Sequence, residues 1–214
     1  MDEEIQLINA NTRKEKIKNF IIDNKKIIIS TISFIVILLI VVFIYLDLKK
    51  KTKISIADKY NNITLNFNIK DKENVKNDLI ELIYKNDKTY SPLALYFLID
   101  NDILKDSNQI NVFFDQVIDI NSLDIEIKEL IIFKKALYNS NFSNENELLN
   151  ILGPILKKDS IWKSHAQFLL AEYFYSKNEK NKSKEFLNEI INLDTSNPSI
   201  KVEAQKKLNR DFSD

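Results

Sequence analysis

The chain has no cysteine, one histidine, one glycine and three prolines in 214 residues. At the usual share of about 7% it would hold roughly 15 glycines. One glycine cannot supply the positive-φ turns of hairpins or the glycine-rich loops that cradle phosphates. Rossmann, P-loop, kinase and all-β architectures therefore drop out before any motif is sought. Without cysteine there are no disulfides, thiolate metal sites or cysteine nucleophiles. His165 is the single histidine, which leaves no histidine-rich metal cluster and little basis for imidazole acid–base chemistry. Charge of one sign is also lacking: 31 basic residues face 31 acidic ones. A nucleic-acid partner needs a basic stripe, and bidentate phosphate recognition prefers arginine. Arginine stands only at Arg13 and Arg210, so nucleic acid is not an expected partner.

What the sequence does have is a long apolar run, Ile27 to Leu46, with no charge, proline or glycine. Twenty helical residues span about 30 Å, the thickness of bilayer hydrocarbon. Sixteen of them are Ile, Leu, Val or Phe, which favours insertion by about 5 to 10 kcal/mol as an upper estimate. Tyr45 sits at one edge, and Lys25-Lys26 and Lys49-Lys50-Lys51 bracket the run. A cleaved signal peptide would have a shorter apolar region followed by small residues, whereas this run exits into Tyr45-Leu46-Asp47-Leu48-Lys49. A transmembrane helix over 27–46 is the expectation, with the lipid bilayer as its surroundings. Six basic residues precede it (Arg13, Lys14, Lys16, Lys18, Lys25, Lys26) and five follow as far as Lys59. The positive-inside rule alone does not choose an orientation from such a near tie.

Residues 1–26 are too short and polar for a domain; Ile17, Phe20 and Ile21 are consistent with a short amphipathic helix entering the membrane or with a frayed tail. Beyond the span, 47–70 reads as a linker with a first helix, and 71–214 as a helical domain long enough for a real core. Apolar residues recur at i, i+4, i+7 and i+8 in Val75/Leu79/Leu82/Ile83 and Leu123/Ile127/Leu130/Ile131, at i, i+1, i+4 and i+5 in Phe186/Leu187/Ile190/Ile191, and over three turns from Trp162 to Phe174. These are helices that each bury one face. Loops rich in Asn, Asp and Ser separate them. Ser91-Pro92 and Asn197-Pro198 read as helix starts, and Gly153-Pro154 as a break or kink. The stretch Ile63 to Ile69 alternates as a strand does, but the rival stripe Ile56, Tyr60, Ile63, Phe67 is helical, and helix is preferred.

Residues 164–197 resemble one tetratricopeptide repeat of 34 positions. Its large positions fall on Leu170, Phe174 and Leu187, and its small ones, where two helices approach closely, on Ala171 and Ser183. Gln167 replaces the usual Trp, Asn178 the turn glycine, Ile190 the Ala and Thr195 the closing Pro. The stretches 72–106, 108–140 and 124–156 fit only as degenerate repeats, with Ala94 and Ala136 as occasional small residues. The expected fold class is all-α, a single transmembrane helix followed by an α-solenoid of degenerate tetratricopeptide-like helical hairpins.

The order of parts, with the tail Asp2-Glu3-Glu4, the stretch Asn86-Asp87-Lys88-Thr89-Tyr90-Ser91-Pro92-Leu93-Ala94 and the repeat at 164–197, resembles the ancillary subunit of the bacterial SecYEG translocon. That family shares its domain type with a cell-division coordinator. The resemblance implies a cytoplasmic N-terminus, a periplasmic domain in the inner (plasma) membrane, and protein partners at the translocon channel and among periplasmic chaperones. It also implies that His165, Phe168, Glu172, Tyr175 and Ser176 face a concave protein-binding groove; the plainer reading makes Phe168 and Tyr175 inter-repeat core and His165 a surface residue. An envelope or division organiser and a purely structural tether are the alternatives. No enzyme activity, cofactor, metal or small-molecule substrate is expected: Glu126/Glu129 and Glu145/Glu147 are acidic pairs of the kind that normally face solvent, and acid–base work needs a cleft. Asp47 and Lys49 read as interface anchors.

Overall fold

The computed structural model describes residues 13–16, 18–68 and 71–212. The acidic start Asp2-Glu3-Glu4, Ile17 of the entry segment and Ile69 of the alternating stretch lie outside the described residues. Where described, the fold is all-α: α1 (Lys25–Leu65), α2 (Lys72–Tyr84), α3 (Tyr90–Asp100), α4 (Ser107–Ile118), α5 (Ile125–Asn139), α6 (Glu145–Leu156), α7 (Lys163–Ser176), α8 (Lys180–Asn192) and α9 (Pro198–Asp211). The chain divides into two compact units, Met1–Ser55 and Ile56–Asp214.

In the first unit, residues 13–16 and 18–23 are helical, and α1 begins after a turn at Asn24. The apolar run lies wholly within α1, which is long and apolar enough to cross a membrane, and none of its most apolar window is buried. As an α-helix it satisfies its backbone hydrogen bonds internally. Thr31 Oγ1 donates to the Ile27 carbonyl at 2.9 Å, which removes an otherwise unpaired hydroxyl. Asp47 and Lys51 pair at 2.9 Å one turn apart.

In the second unit, the stripe Ile56, Tyr60, Ile63, Phe67 packs on the first core. Helix α1 runs to Leu65, so the alternating stretch enters its last turn rather than a strand. The first core gathers Leu79, Leu82 and Ile83 of α2, Leu95 and Leu98 of α3, and Phe113, Phe114 and Val117 of α4. A second joins Ala136 of α5, Leu148 and Leu152 of α6, and Leu170 and Phe174 of α7. A third, smaller one holds Ala171, Leu187, Ile190 and Ala204. From α2 onward each helix packs on the next, and α2 also meets α4, α5 meets α7, and α7 meets α9.

Three local readings change. The face of α5 is rotated from the expected stripe: Ile127 is 42% exposed while Glu129, at 6%, is buried beside Ile131, Ile132 and Ala136. Helix α3 starts at Tyr90, and its first amides are capped by Asp87, whose Oδ1 accepts from Thr89 N at 2.9 Å and Tyr90 N at 2.8 Å. Ser91 is instead buried and donates to the Leu82 carbonyl at 2.8 Å, tying α3 to α2. Finally, α6 continues through Gly153-Pro154 to Leu156. The amide that proline lacks would have bonded the carbonyl of the exposed Asn150, which water can satisfy. Asn197 caps α9 as expected, accepting from Ser199 N and Ile200 N with Pro198 at the first position.

Candidate functional site

Helix α7 is oriented by its buried stripe Ala166, Leu169, Leu170, Tyr173 and Phe174. With 3.6 residues per turn, His165, Phe168, Glu172, Tyr175 and Ser176 then share an arc of about 100° on another side. Close approach to α8 comes from small residues: Ala171 and Ser183 are both fully buried, and Ser183 Oγ donates to the Ala171 carbonyl at 2.8 Å. The connecting turn carries Asn178 at φ 62°, a left-handed conformation that asparagine tolerates better than most residues with a Cβ.

Four of the five side chains meet neighbouring elements. His165 is half-buried against α5, its ring 6.0 Å from Phe133 and 5.0 Å from Trp162. Phe133 and Trp162 stack at 5.9 Å, and the indole N–H donates to the Glu126 carbonyl at 3.0 Å. Burial holds the His165 imidazole below its ordinary pKa, and the Ile161 carbonyl opposes this shift. Phe168 packs on the third core. Glu172, exposed, accepts from Lys207 of α9 at 2.7 Å. Lys207 Nζ also sits 4.2 Å over the Tyr175 ring and 3.5 Å from Asp211, and Tyr175 meets Phe212 edge-on at 5.9 Å. Ser176 is exposed, with its hydroxyl turned to the Tyr173 carbonyl at 2.7 Å.

Among the described residues two charged side chains are buried against expectation: Lys207, not singled out from the sequence, and Glu129, half of the acidic pair Glu126/Glu129. Each had a signal. Lys207 occupies the i+7 place in the stripe Ile200, Ala204, Lys207, Leu208, and Glu129 heads Glu129, Ile132, Phe133, Ala136. A 3.6-residue period puts both on packed faces. Lys207 is only 7% exposed, yet its ammonium meets two carboxylates and a ring face, which is how a buried charge is compensated. Glu129 was expected in solvent; its carboxyl accepts from Ser160 Oγ at 2.7 Å inside the fold. The other acidic pair has structural tasks. Glu147 completes a capping box with Asn144, and Glu145 pairs with Lys182 at 2.8 Å.

Among the described residues, no three His, Asp or Glu side chains converge as a metal-binding set. The arrangement on α7 is an aromatic and polar helix face flanked by α5 and α9. Compared with family models, curated proteins and solved structures, the chain matches none.

Proposed function

We propose that this chain is a single-pass membrane protein whose helical domain is a protein-docking scaffold of the tetratricopeptide-like type. The observation that carries this is the pairing of a fully unburied apolar run within α1 with a domain in which each helix from α2 packs on the next. Stacked helical pairs present long rigid faces suited to polypeptide partners. The small pair Ala171/Ser183 at the α7–α8 approach and the left-handed Asn178 between those helices support reading 164–197 as a repeat. In this reading the α7 face bearing His165, Phe168, Glu172, Tyr175 and Ser176 is the docking surface. The aromatic rings supply apolar area, and Glu172 and Ser176 supply polar contacts beside α9.

By its resemblance to the ancillary SecYEG subunit, the tail is cytoplasmic, the domain is periplasmic, and its work is to receive emerging proteins at the translocon and pass them to chaperones. Two measurements test this. Protease added to intact spheroplasts digests residues 47–214 if the domain is periplasmic; full protection overturns that topology. Mild-detergent extracts at native expression yield the translocon channel with the tagged chain. Repeated absence of the channel, with other proteins recovered, removes the translocon assignment and leaves the scaffold.

A further inference from the structure

A second surface of the domain has the properties of a binding site. A cavity of about 350 Å³ lies between α3, α4, α5 and the turn after α5, lined by Tyr96, Phe114, Lys134, Tyr138 and Phe142 among others. Its aromatic wall is braced. Tyr138 lies 5.3 Å from Phe142 edge-on and 6.0 Å from Phe114, and its hydroxyl is hydrogen-bonded to Ser107 Oγ at 3.2 Å. Yet Phe142 and Leu137 remain 55% and 51% exposed at this cavity. Two large apolar side chains beside one concavity form a patch rather than scattered surface residues.

Three polar groups at the cavity, on Tyr96, Lys134 and Asp100, have no hydrogen-bond or ion-pair partner among the described residues. The Tyr96 hydroxyl is buried with no hydrogen-bond partner. Burial and the charge of Asp100 push its pKa up, so it stays protonated and a donor. Lys134 Nζ lies 4.7 Å over the Tyr96 ring. Among the described residues Lys134 makes no ion pair, whereas its neighbour Lys135 is held by Asp115 at 2.6 Å. Asp100, also at the cavity, is likewise outside every ion pair among those residues. A cation and an anion thus flank an apolar cleft with room for one large side chain, and an unpartnered hydroxyl lies buried beside it.

We propose that this cavity is a second docking site, which takes the aromatic or leucine side chain of a protein segment whose next residue is acidic. The anchor fills the space between Phe114, Tyr138 and Phe142, the acidic side chain meets Lys134, and Asp100 accepts from the segment's backbone N–H. Aromatic walls with a few placed polar groups are how such clefts bind, and the unpaired charges of opposite sign complement a polypeptide carrying both a donor and a carboxylate. The site deepens the scaffold reading and rests on it.

The test uses the full chain in detergent micelles with fluorinated tyrosine, titrated with the blocked peptide acetyl-Ala-Phe-Glu-Ala-amide and read by fluorine NMR. Saturable shifts are expected at Tyr96 and Tyr138 and not at Tyr175. Replacing Glu by Gln in the peptide weakens binding about two- to fivefold, and Lys134→Gln in the protein abolishes that difference. Phe142→Ala weakens the parent peptide about two- to tenfold with little change in thermal midpoint, because the ring is mostly exposed. Equal affinity for the Glu and Gln peptides, undiminished binding by Phe142→Ala, or no saturable shift at Tyr96 and Tyr138 overturns the proposal. Shifts confined to Tyr175 overturn it in favour of the α7 face. If the cavity fails while the tagged chain still captures proteins, the scaffold reading stands without this site; failure of both removes that reading as well.

Discussion

Ser160 donates to the buried Glu129 carboxyl group at 2.7 Å, and its oxygen also receives the Trp162 amide at 3.0 Å. Ser160→Ala leaves a buried acceptor unpaired, at an expected cost of about 1 to 3 kcal/mol. A shift in the urea midpoint measures it, and pairing the change with Glu129→Leu should recover part of the loss. His165 carries a pH dependence whose sign follows from its lowered pKa. A folded state that favours neutral imidazole gains stability above the unfolded value near 6.5 and loses it as pH falls through the folded value. The thermal midpoint should therefore drop between pH 7 and pH 5, and His165→Gln should remove part of that drop. An unchanged pH profile in the variant would exclude the imidazole as its source.

At the scale of helices, the α7–α8 pair depends on residues without bulk. Ser183 is fully buried under the Ala171 carbonyl, so Ser183→Leu should overpack the approach and cost about 1 to 3 kcal/mol. In the turn between these helices, Asn178 at φ 62° predicts that Asn178→Ala costs about 1 kcal/mol or more, while Asn178→Gly is close to neutral. Thermal denaturation distinguishes the two. Asn86 and Asp102 adopt the same left-handed conformation at φ 52° and 51°, so side chains that tolerate it replace glycine throughout these turns. Regular stripes were legible for the same local reason: Val75, Leu79, Leu82 and Ile83 are all buried, as their spacing dictates. Where an element offered two stripes, spacing did not choose. Helix α5 buries Glu129 and exposes Ile127 because its face is set by what α6 and α7 present, and Ser160 supplies the hydrogen bond that makes the carboxyl group tolerable. The start of α3 was displaced in the same way, since Ser91 bonds across to α2 and leaves capping to Asp87.

For the molecule as a whole, the apolar run and the three cores differ in burial. Every side chain from Ile29 to Leu46 is exposed, so this segment has no protein core to enter. Ile37→Lys with Val41→Lys places two charges mid-span, at about 2.5 to 3.5 kcal/mol each. That is comparable with the whole insertion energy, and the double variant should be released from membranes by carbonate while the parent stays. The 56–214 unit is built mainly from packing between helices that are neighbours in sequence. Its third core has four fully buried apolar residues, and amide exchange should accordingly be fastest in α9. Lys207→Met should speed that exchange further by leaving Glu172 and Asp211 without their shared cation.

The all-α class and the long apolar run were determined by the sequence alone. Each depends on local quantities: the period of apolar residues, the length of an uncharged run, and the scarcity of glycine. Only tertiary structure decided which neighbours His165, Phe168, Glu172 and Tyr175 meet, because those neighbours lie on α5 and α9. The same holds for Lys207 and Glu129, whose burial requires compensating groups brought from elsewhere in the chain. It holds too for the cavity at Tyr96, formed by residues of three helices and a turn. Spacing within one helix fixes which side chains share a face, but what that face touches depends on the stacking of the others.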